Sequence, residues 1–412
     1  MSTEQREFDV ILWGATGFVG QLAAEDLAAR YSDGSVRWAI GGRSRQKLEA
    51  LRADLVTRSG PALADLPIIV ADAHEPTALL ELVKRTKVLC TTVGPYAKYG
   101  SPMVEACATT GTHYCDLTGE AQWIRRMIDR YHDVAVRTGA RIVHCCGYDS
   151  IPSDIGTWML QKAAHERFGQ YVPSAKLIVV GAKGGFSGGT IASMMNLLNE
   201  ARDPEVRKVV GNPYALQPEG QRKGPRINDM APMRRDADVG IWTAPFLMAP
   251  INTRIVRRTN ALLNYPWGAE FRYEERMKAG KGVGGAIAAT GITLGMATFV
   301  GVAAIPPFRR LLEMTVLPKP GEGPTRKAIE EGYFVSDVHG WVDGHHLRAR
   351  MKGQRDPGYG ATATMLVESA LCLAKDDLTS AGGILTPAFA MGDALVRRLQ
   401  AAGLELSVEE VK

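Results

Sequence analysis

Residues 8 to 20 read FDVILWGATGFVG, a strand-like run that stops in a glycine triplet, Gly14, Gly17 and Gly20. The run Phe8–Trp13 is apolar enough to form a strand buried on both faces, as in a parallel sheet. Beyond the triplet, Val19, Leu22, Ala23 and Leu27 recur at helical spacing. The glycines therefore sit at a strand-to-helix turn. There they permit a tight loop and let the backbone approach a pyrophosphate, whose charge the helix N-terminus favours. A glycine triplet alone can be an incidental turn; the strand before it and the helix after it favour a dinucleotide cradle. Its candidate residues are Gly14, Thr16, Gly17, Phe18 and Gly20.

The second strand, Val36–Ile40, leads into GGRSRQKLEAL. An NAD-preferring site usually carries an acid here to bond the ribose hydroxyls. Instead Gly41 and Gly42 leave space, Arg43 offers a guanidinium, and Ser44 can both cap the next helix and donate a bond. Arg43 and Ser44, with Arg45 and Lys47 nearby, suit a 2′-phosphate, so the expected cofactor is NADPH; a solvated basic helix start is the alternative. The alternation continues through strands at Ile68–Ala71, Val88–Val93, Tyr114–Asp116 and Arg141–Cys146, with helical segments between them. This pattern predicts an α/β fold with a Rossmann-like, doubly wound parallel sheet. Asp72 follows the third strand and is placed to meet adenine. Gly94, Pro95, Tyr96, Asp116 and Gly147 follow later strands, and are expected along the rim near the nicotinamide.

After residue 150 the pattern changes. Pro152, Ser153 and Asp154 fit a helix start, and Tyr148, Asp149 and Ser150 before them either face the cofactor or serve as turn and cap. Lys176–Gly181, Val239–Phe246, Thr253–Arg258, Glu270–Tyr273, Tyr333–Val338 and His345–Met351 read as strands rich in β-branched and aromatic residues. They predict a second α+β domain with a mostly antiparallel sheet, for substrate or dimerisation. The glycine turn in KGGFSGGTIASMMNLL either lines its cleft or is structural. Residues 204 to 238, rich in Pro, Gly, Arg and Asp, read as a long loop. The expected domains are 1–150 for NADP, 151–355 for substrate or dimerisation with an apolar insert at 283–305, and 356–412 as C-terminal helices that pack back on the first domain.

Charge narrows the function. The net charge is +5, and Lys and Arg are scattered in short pairs such as Arg234-Arg235, Arg257-Arg258 and Arg309-Arg310, with no basic block interleaved with aromatics. Solvated faces are expected there, and nucleic acid is not. The six cysteines have no metal spacing and lie in apolar runs, so they read as buried thiols. His345-His346 alone makes no metal site. The polar start MSTEQREFD runs straight into a strand without a signal peptide, so a cytoplasmic protein is expected.

The apolar insert, Val283 to Ile305, carries no charge, with Lys278 and Lys281 before it and Arg309 and Arg310 after Pro306-Pro307. As a helix of about 34 Å it is long enough to cross a bilayer. Three placements stand open: a buried core helix or dimer contact, a superficial or hairpin association with the plasma membrane, and a true span. Peripheral association is the expectation. A span would separate the C-terminal helices from the domain they should complete, and Gly, Ala and Thr give the segment a modest drive to insert.

GATGFVG, GGRS, TVGPYAKYG, YCDLTGE, GYDSIPSD and GGILTPAFAMGDAL together resemble the saccharopine dehydrogenase-like oxidoreductases along nearly the whole chain. Within them, APINTRIVRRTNALL and the apolar insert after RMKAGK are most similar to the trans-acting enoyl reductases, which serve polyketide synthases building long-chain lipids of the phthiocerol and phenolphthiocerol type. The resemblance implies NADPH-dependent reduction of a carrier-bound enoyl chain: an acyl-thioester or other lipid-like substrate, and a polyketide synthase carrier domain as partner. Such a reaction wants a proton for the α-carbon and a donor for the thioester enolate. Tyr96 is the first candidate donor and Tyr148 the second, with Lys98 assisting electrostatically; each can instead pack or sit on the surface. Two rivals stand beside this reading. One is an amino-acid dehydrogenase acting on a C–N bond, its substrate carboxylates held by Arg254, Arg257 or Arg348. The other is a non-catalytic NADP-binding scaffold at a lipid surface.

Overall fold

The chain was analysed as a computed structural model, which describes residues 6–72, 75–184, 188–305, 307–308 and 323–411. Its first part alternates as β1 (Phe8–Trp13), α1 (Phe18–Arg30), β2 (Trp38–Gly42), α2 (Arg45–Ser59), β3 (Ile68–Val70), α3 (Pro76–Lys84), β4 (Thr86–Thr91), α4 (Tyr96–Tyr99), α5 (Ser101–Thr110), β5 (His113–Cys115), α6 (Ala121–Thr138) and β6 (Arg141–Val143). Then come α7 (Ile151–Phe168), β7 (Ser174–Lys183), α8 (Gly188–Glu200), α9 (Pro204–Gly211), β8 (Arg234–Asp236), β9 (Ile241–Pro245), α10 (Ala249–Leu262), β10 (Arg272–Gly280) and α11 (Gly282–Ala304). The chain closes with α12 (Arg326–Glu330), β11 (Tyr333–Val342), β12 (His345–Gln354), α13 (Thr362–Lys375), β13 (Gly383–Leu385), α14 (Pro387–Ala401) and β14 (Glu405–Val411). Two units result: Met1–Ile151 with Gly321–Gly323 and Gly358–Ala402, and Pro152–Pro320 with Pro324–Pro357 and Gly403–Lys412.

The first unit holds a seven-stranded sheet in the order β13-β6-β5-β4-β1-β2-β3, every pairing parallel. This is the doubly wound arrangement, and its order reverses between β4 and β1. Every residue of β1 is buried, as a central parallel strand requires. The buried carboxylate of Asp9 is met by Lys87 at 3.1 Å and Arg37 at 3.3 Å. The C-terminal segment does more than add helices. α13 lies against β1, β4, β5 and α1, while β13 extends the sheet by pairing with β6. Arg141 of β6 fixes the approach to β13 by donating to the Leu378 and Ser380 carbonyls.

The second unit holds a sheet in the order β14-β12-β11-β7-β10-β9-β8, antiparallel except for β7 with β10. Here the expectations need correcting. Residues 405–411 are a strand of this sheet, not part of a helical cap on the first unit. Thr253–Arg258 is not a strand; it is the middle of α10, which Pro250 opens and whose residues are almost all buried. Nor are Arg257-Arg258 a solvated pair, for each is 2% exposed.

Those arginines explain the 204–238 segment, which contains α9 and β8 and is not simply a loop. Arg254, Arg257 and Arg258 stand at helical spacing on α10 and donate to backbone carbonyls of Val210 and Asn212, of Pro213, and of Leu216. Arg276 of β10 takes Pro232 at 2.7 Å and Ala231 at 3.2 Å. A stretch poor in apolar residues is thus held by buried guanidiniums, and Arg257 also pairs with the Asp229 carboxylate at 2.7 Å. We expect Arg254→Ala to lower the unfolding free energy by about 1–3 kcal/mol, because it strands buried carbonyls. Urea denaturation and proteolytic nicking within 204–216 check this; an unchanged midpoint and unchanged nicking would refute it.

Candidate active site

The site is built where β1, β4, β5 and β6 end, on adjacent strands of the first sheet. With about 4.8 Å between strands, its rim runs roughly 14 Å from β1 to β6. At β1 the glycines divide three tasks. Gly14 has φ +83°, and a Cβ there would come within 2.6 Å of Val93 Cγ2 and 2.9 Å of Thr92 Oγ1. The loops after β1 and β4 thus interlock, and the Thr92 hydroxyl donates to the Gly14 carbonyl at 3.1 Å. Gly20 is buried, and its Cβ would fall 2.2 Å from the Gly14 carbonyl oxygen. This corrects its expected role: Gly20 lets α1 pack on the loop, and does not face a ligand.

Gly17 is different. It is exposed, and its nearest obstacle to a Cβ is the Gly14 oxygen at 3.3 Å. It precedes α1 with extended backbone, and no side chain caps the helix. The first amides of α1 therefore face an open mouth, the arrangement that takes a phosphate. Thr16 and Phe18 are half-buried; the Phe18 ring meets Tyr359 edge-on at 4.9 Å.

At β2, Gly41 admits the Trp13 ring, which would lie 2.7 Å from a Cβ. Ser44 caps α2 by accepting from the Lys47 amide at 3.4 Å. Arg43 is exposed and has no ion-pair partner among the described residues. A guanidinium free at the end of β2 fits a 2′-phosphate. Arg43→Ala should weaken NADPH binding by roughly 1–3 kcal/mol and leave NADH nearly unchanged. Equal losses for both cofactors in titration calorimetry would reject the assignment. Asp72 is exposed beyond β3.

At β4 the chain passes through the cis peptide Gly94–Pro95. Gly94 is exposed and Pro95 half-buried. Glu120, buried just before α6, clamps the loop: its carboxylate accepts the Tyr96 amide at 2.7 Å and the Ala97 amide at 3.1 Å. Tyr96 itself is only 4% exposed. Its hydroxyl donates to the Thr91 carbonyl at 3.2 Å and accepts the Leu117 amide at 3.2 Å. Burial, then the Asp116 charge, push its pKa well above the ordinary phenol value. The phenolic proton is committed to the backbone, so Tyr96 is corrected from proton donor to a brace between β4 and the 117 loop. Lys98 is exposed on α4.

At β5, Asp116 lies inside the unit, not on the rim as expected. It accepts from the Tyr114 hydroxyl at 2.9 Å, the Thr118 amide at 3.1 Å and the Cys145 amide at 3.2 Å, and bonds His144 Nδ1 at 2.7 Å. This buried carboxylate orders the loop after β6, residues 144–150. The same loop carries Cys145 at φ 63° and Ser150 at φ 98°, left-handed conformations that non-glycine residues hold only under constraint. Gly147 is wedged between Leu117 and Thr362, and the Tyr148 amide donates to Thr362 Oγ1 at 3.0 Å. Between these anchors sit Tyr148 and Asp149, both half-buried. Desolvation pushes the Asp149 carboxyl up to about 7. A carboxyl whose proton is held to near-neutral pH by desolvation is of the kind that can give a proton away.

Sequence reasoning missed Glu120 and His144; it placed Asp149 with Tyr148 and Ser150 as either facing the cofactor or serving as turn and cap, without giving it the role of an acid. Glu120 and His144 act through contacts across strands, which spacing does not encode. Asp149 follows a strand end in GYDS, which was the available signal. The cations offered for substrate carboxylates are otherwise engaged: Arg254 and Arg257 as above, and Arg348 with Glu409 at 2.9 Å and Asp337 at 3.8 Å. Among the described residues no group of His, Cys, Asp and Glu is arranged to hold a metal. All six cysteines are buried free thiols.

Residues 10–143 match the saccharopine dehydrogenase NADP binding domain. The chain is 45% identical to a Mycobacterium tuberculosis protein provisionally named a trans-acting enoyl reductase, over 98% of both chains. It is 41% identical to a trans-acting enoyl reductase of Mycobacterium ulcerans, over 99% of both. Among solved structures it is similar to an amine dehydrogenase from Mycobacterium smegmatis, 13% identical with a TM-score of 0.44, over 94% of this chain and 97% of that one. At that distance nothing about substrate carries over.

Proposed function

Because this chain belongs to the saccharopine dehydrogenase-like oxidoreductases, and within them to the trans-acting enoyl reductases, it is an NADPH-dependent oxidoreductase, and we propose that it reduces the carbon–carbon double bond of a carrier-bound enoyl thioester. The cradle supports the cofactor half of this reading: a Cβ at Gly17 would point into its open mouth, no side chain caps the α1 amides, and Arg43 has no ion-pair partner among the described residues. When bound, NADPH supplies the hydride for the β-carbon. The chain must then hold the enoyl thioester against the rim and give the α-carbon its proton.

The identity of 41–45% over nearly the whole chain to trans-acting enoyl reductases is the observation that supports the reaction type, and Asp149 is the candidate acid for it. A desolvated carboxyl on a constrained loop, at the carboxyl end of the sheet, supports Asp149 as the general acid. Tyr148 beside it is the donor for the enolate oxygen. Glu120 and Tyr96 are spent on positioning the 92–97 loop. A polyketide synthase carrier domain presenting the acyl chain is the proposed partner, which places the protein in lipid assembly. The saccharopine-type alternative loses its cations, since all three candidate arginines are bonded within the second unit.

NADPH oxidation tests the reading. The nicotinamide absorbance should fall with an enoyl thioester on a pantetheine carrier and not with saccharopine, and the product should be the saturated thioester. Oxidation with saccharopine alone would replace the reading, and none with either substrate would favour a scaffold.

A further inference from the structure

The 23-residue helix α11 is where the described structure departs most from ordinary surface chemistry. A helix apolar all round normally belongs inside a protein or a bilayer. This one is not inside the protein: only 11% of its most apolar window is buried. The core-helix reading of this segment is therefore overturned. One narrow seam is covered. Gly285 and Ala289 are buried against the neighbourhood of β9 and β10, and a Cβ on Gly285 would lie 2.5 Å from the Gly280 carbonyl carbon. The opposite face is open, with Val283 78%, Ile287 69% and Leu294 62% exposed.

We propose that this outward face of α11 docks on an anionic lipid surface, with the helix lying along the bilayer interface and Lys278 and Lys281 at the headgroups. Three observations choose lipid over a second protein copy. First, both lysines are exposed where the helix begins, and the positive end of its dipole lies there too, so charge attraction and the apolar face act together. Second, the helix carries no charged residue, no Tyr and no Trp, whereas protein interfaces concentrate aromatics and Arg inside a polar rim. Third, two of its three threonine hydroxyls are bonded back to the helix. The Thr290 and Thr293 hydroxyls donate to the Ala286 and Ala289 carbonyls at 2.9 and 2.8 Å, satisfying within the helix the donors that a medium without water would strand. Seating along β9 and β10 argues against a crossing. Arg309 and Arg310, also expected at headgroups, lie outside the described residues.

The test is flotation of the full chain with phosphatidylcholine vesicles, with and without phosphatidylglycerol, beside sedimentation velocity without lipid. The variant V283E/I287E/L294E changes only exposed positions, and its NADPH affinity reports whether the fold is kept. Wild type should float with the anionic vesicles and less so at high salt, while the variant floats at least about tenfold less and binds NADPH normally. Wild type that stays at the bottom overturns the proposal. So does a variant that floats equally, which would put the contact elsewhere. A wild-type dimer that the variant breaks, without flotation, assigns the face to a second copy and overturns it as well. None of these outcomes depends on enoyl reduction, so failure of that reaction and failure of docking are separately visible.

Discussion

Gly17→Val should abolish NADPH binding while the protein stays folded. Gly17 has φ −75° and ψ 164°, an extended conformation that valine adopts readily. A Cβ there meets nothing of the fold closer than the Gly14 oxygen at 3.3 Å, so the branched side chain extends into the open mouth of the loop. That mouth is where the pyrophosphate must approach the α1 amides. The cost to the fold is about 1 kcal/mol, since valine is a poor residue at a helix start. Losing two charge-assisted bonds from the α1 amides to the phosphates, at about 1.5–3 kcal/mol each, should weaken binding at least roughly a hundredfold. Gly20→Val provides the contrast: with its Cβ 2.2 Å from the Gly14 oxygen, that variant should lose folding itself. Titration calorimetry and circular dichroism on both separate the two roles. Normal NADPH affinity in Gly17→Val would remove the phosphates from this loop.

Asp149→Asn should lower turnover by roughly 10²–10⁴-fold with little change in NADPH affinity, the usual cost of losing a general acid. The pH profile makes the assignment specific. Burial raises the Asp149 carboxyl to about 7 in the folded chain, from about 4 when unfolded. The proton needed for transfer is present below that value and lost above it, so wild-type turnover should fall as pH rises through about 7. In Asp149→Asn this limb should vanish along with the rate. Linkage runs the same way: a raised folded pKa gives relative stability that is complete below about 4 and lost as pH climbs towards 7. Asp149→Asn should flatten that slope. Tyr148→Phe should cost less rate and keep the pH limb. Wild-type turnover in Asp149→Asn, or a limb that persists, would move the acid elsewhere.

Those two variants also mark what could be read without coordinates. The glycine loop, the basic end of β2 and the parallel alternation are local patterns. A strand buried on both faces, a turn that needs left-handed backbone at Gly14 and a helix start each leave their mark within a few consecutive residues. The strand-to-helix glycine turn and the parallel sheet that carries it were therefore legible, apart from the division of labour among the three glycines. That division depends on which backbone each glycine touches.

Which polar groups near the proposed acid are already bonded was not legible, because that is decided by partners distant in sequence. Tyr96 follows the right strand, but the fold turns its hydroxyl to Thr91 and Leu117. Asp116 looks like a rim residue until His144 and Tyr114 close around it. Asp149 has a shifted pKa only because of what surrounds it. α10 shows the same limit: Ile255-Val256 suggests a strand locally, while the spacing of Arg254, Arg257 and Arg258 is helical and becomes meaningful once each meets a carbonyl of the 204–238 segment. Sequence by itself determined the periodicities, the cofactor cradle and the uncharged stretch at 283–305, because each is a property of neighbouring residues. Tertiary structure alone decided which polar groups are spent on the fold and which remain for chemistry, and that α11 is left uncovered. Burial and hydrogen-bond partnership are set by chain segments far apart in sequence, which no local pattern records.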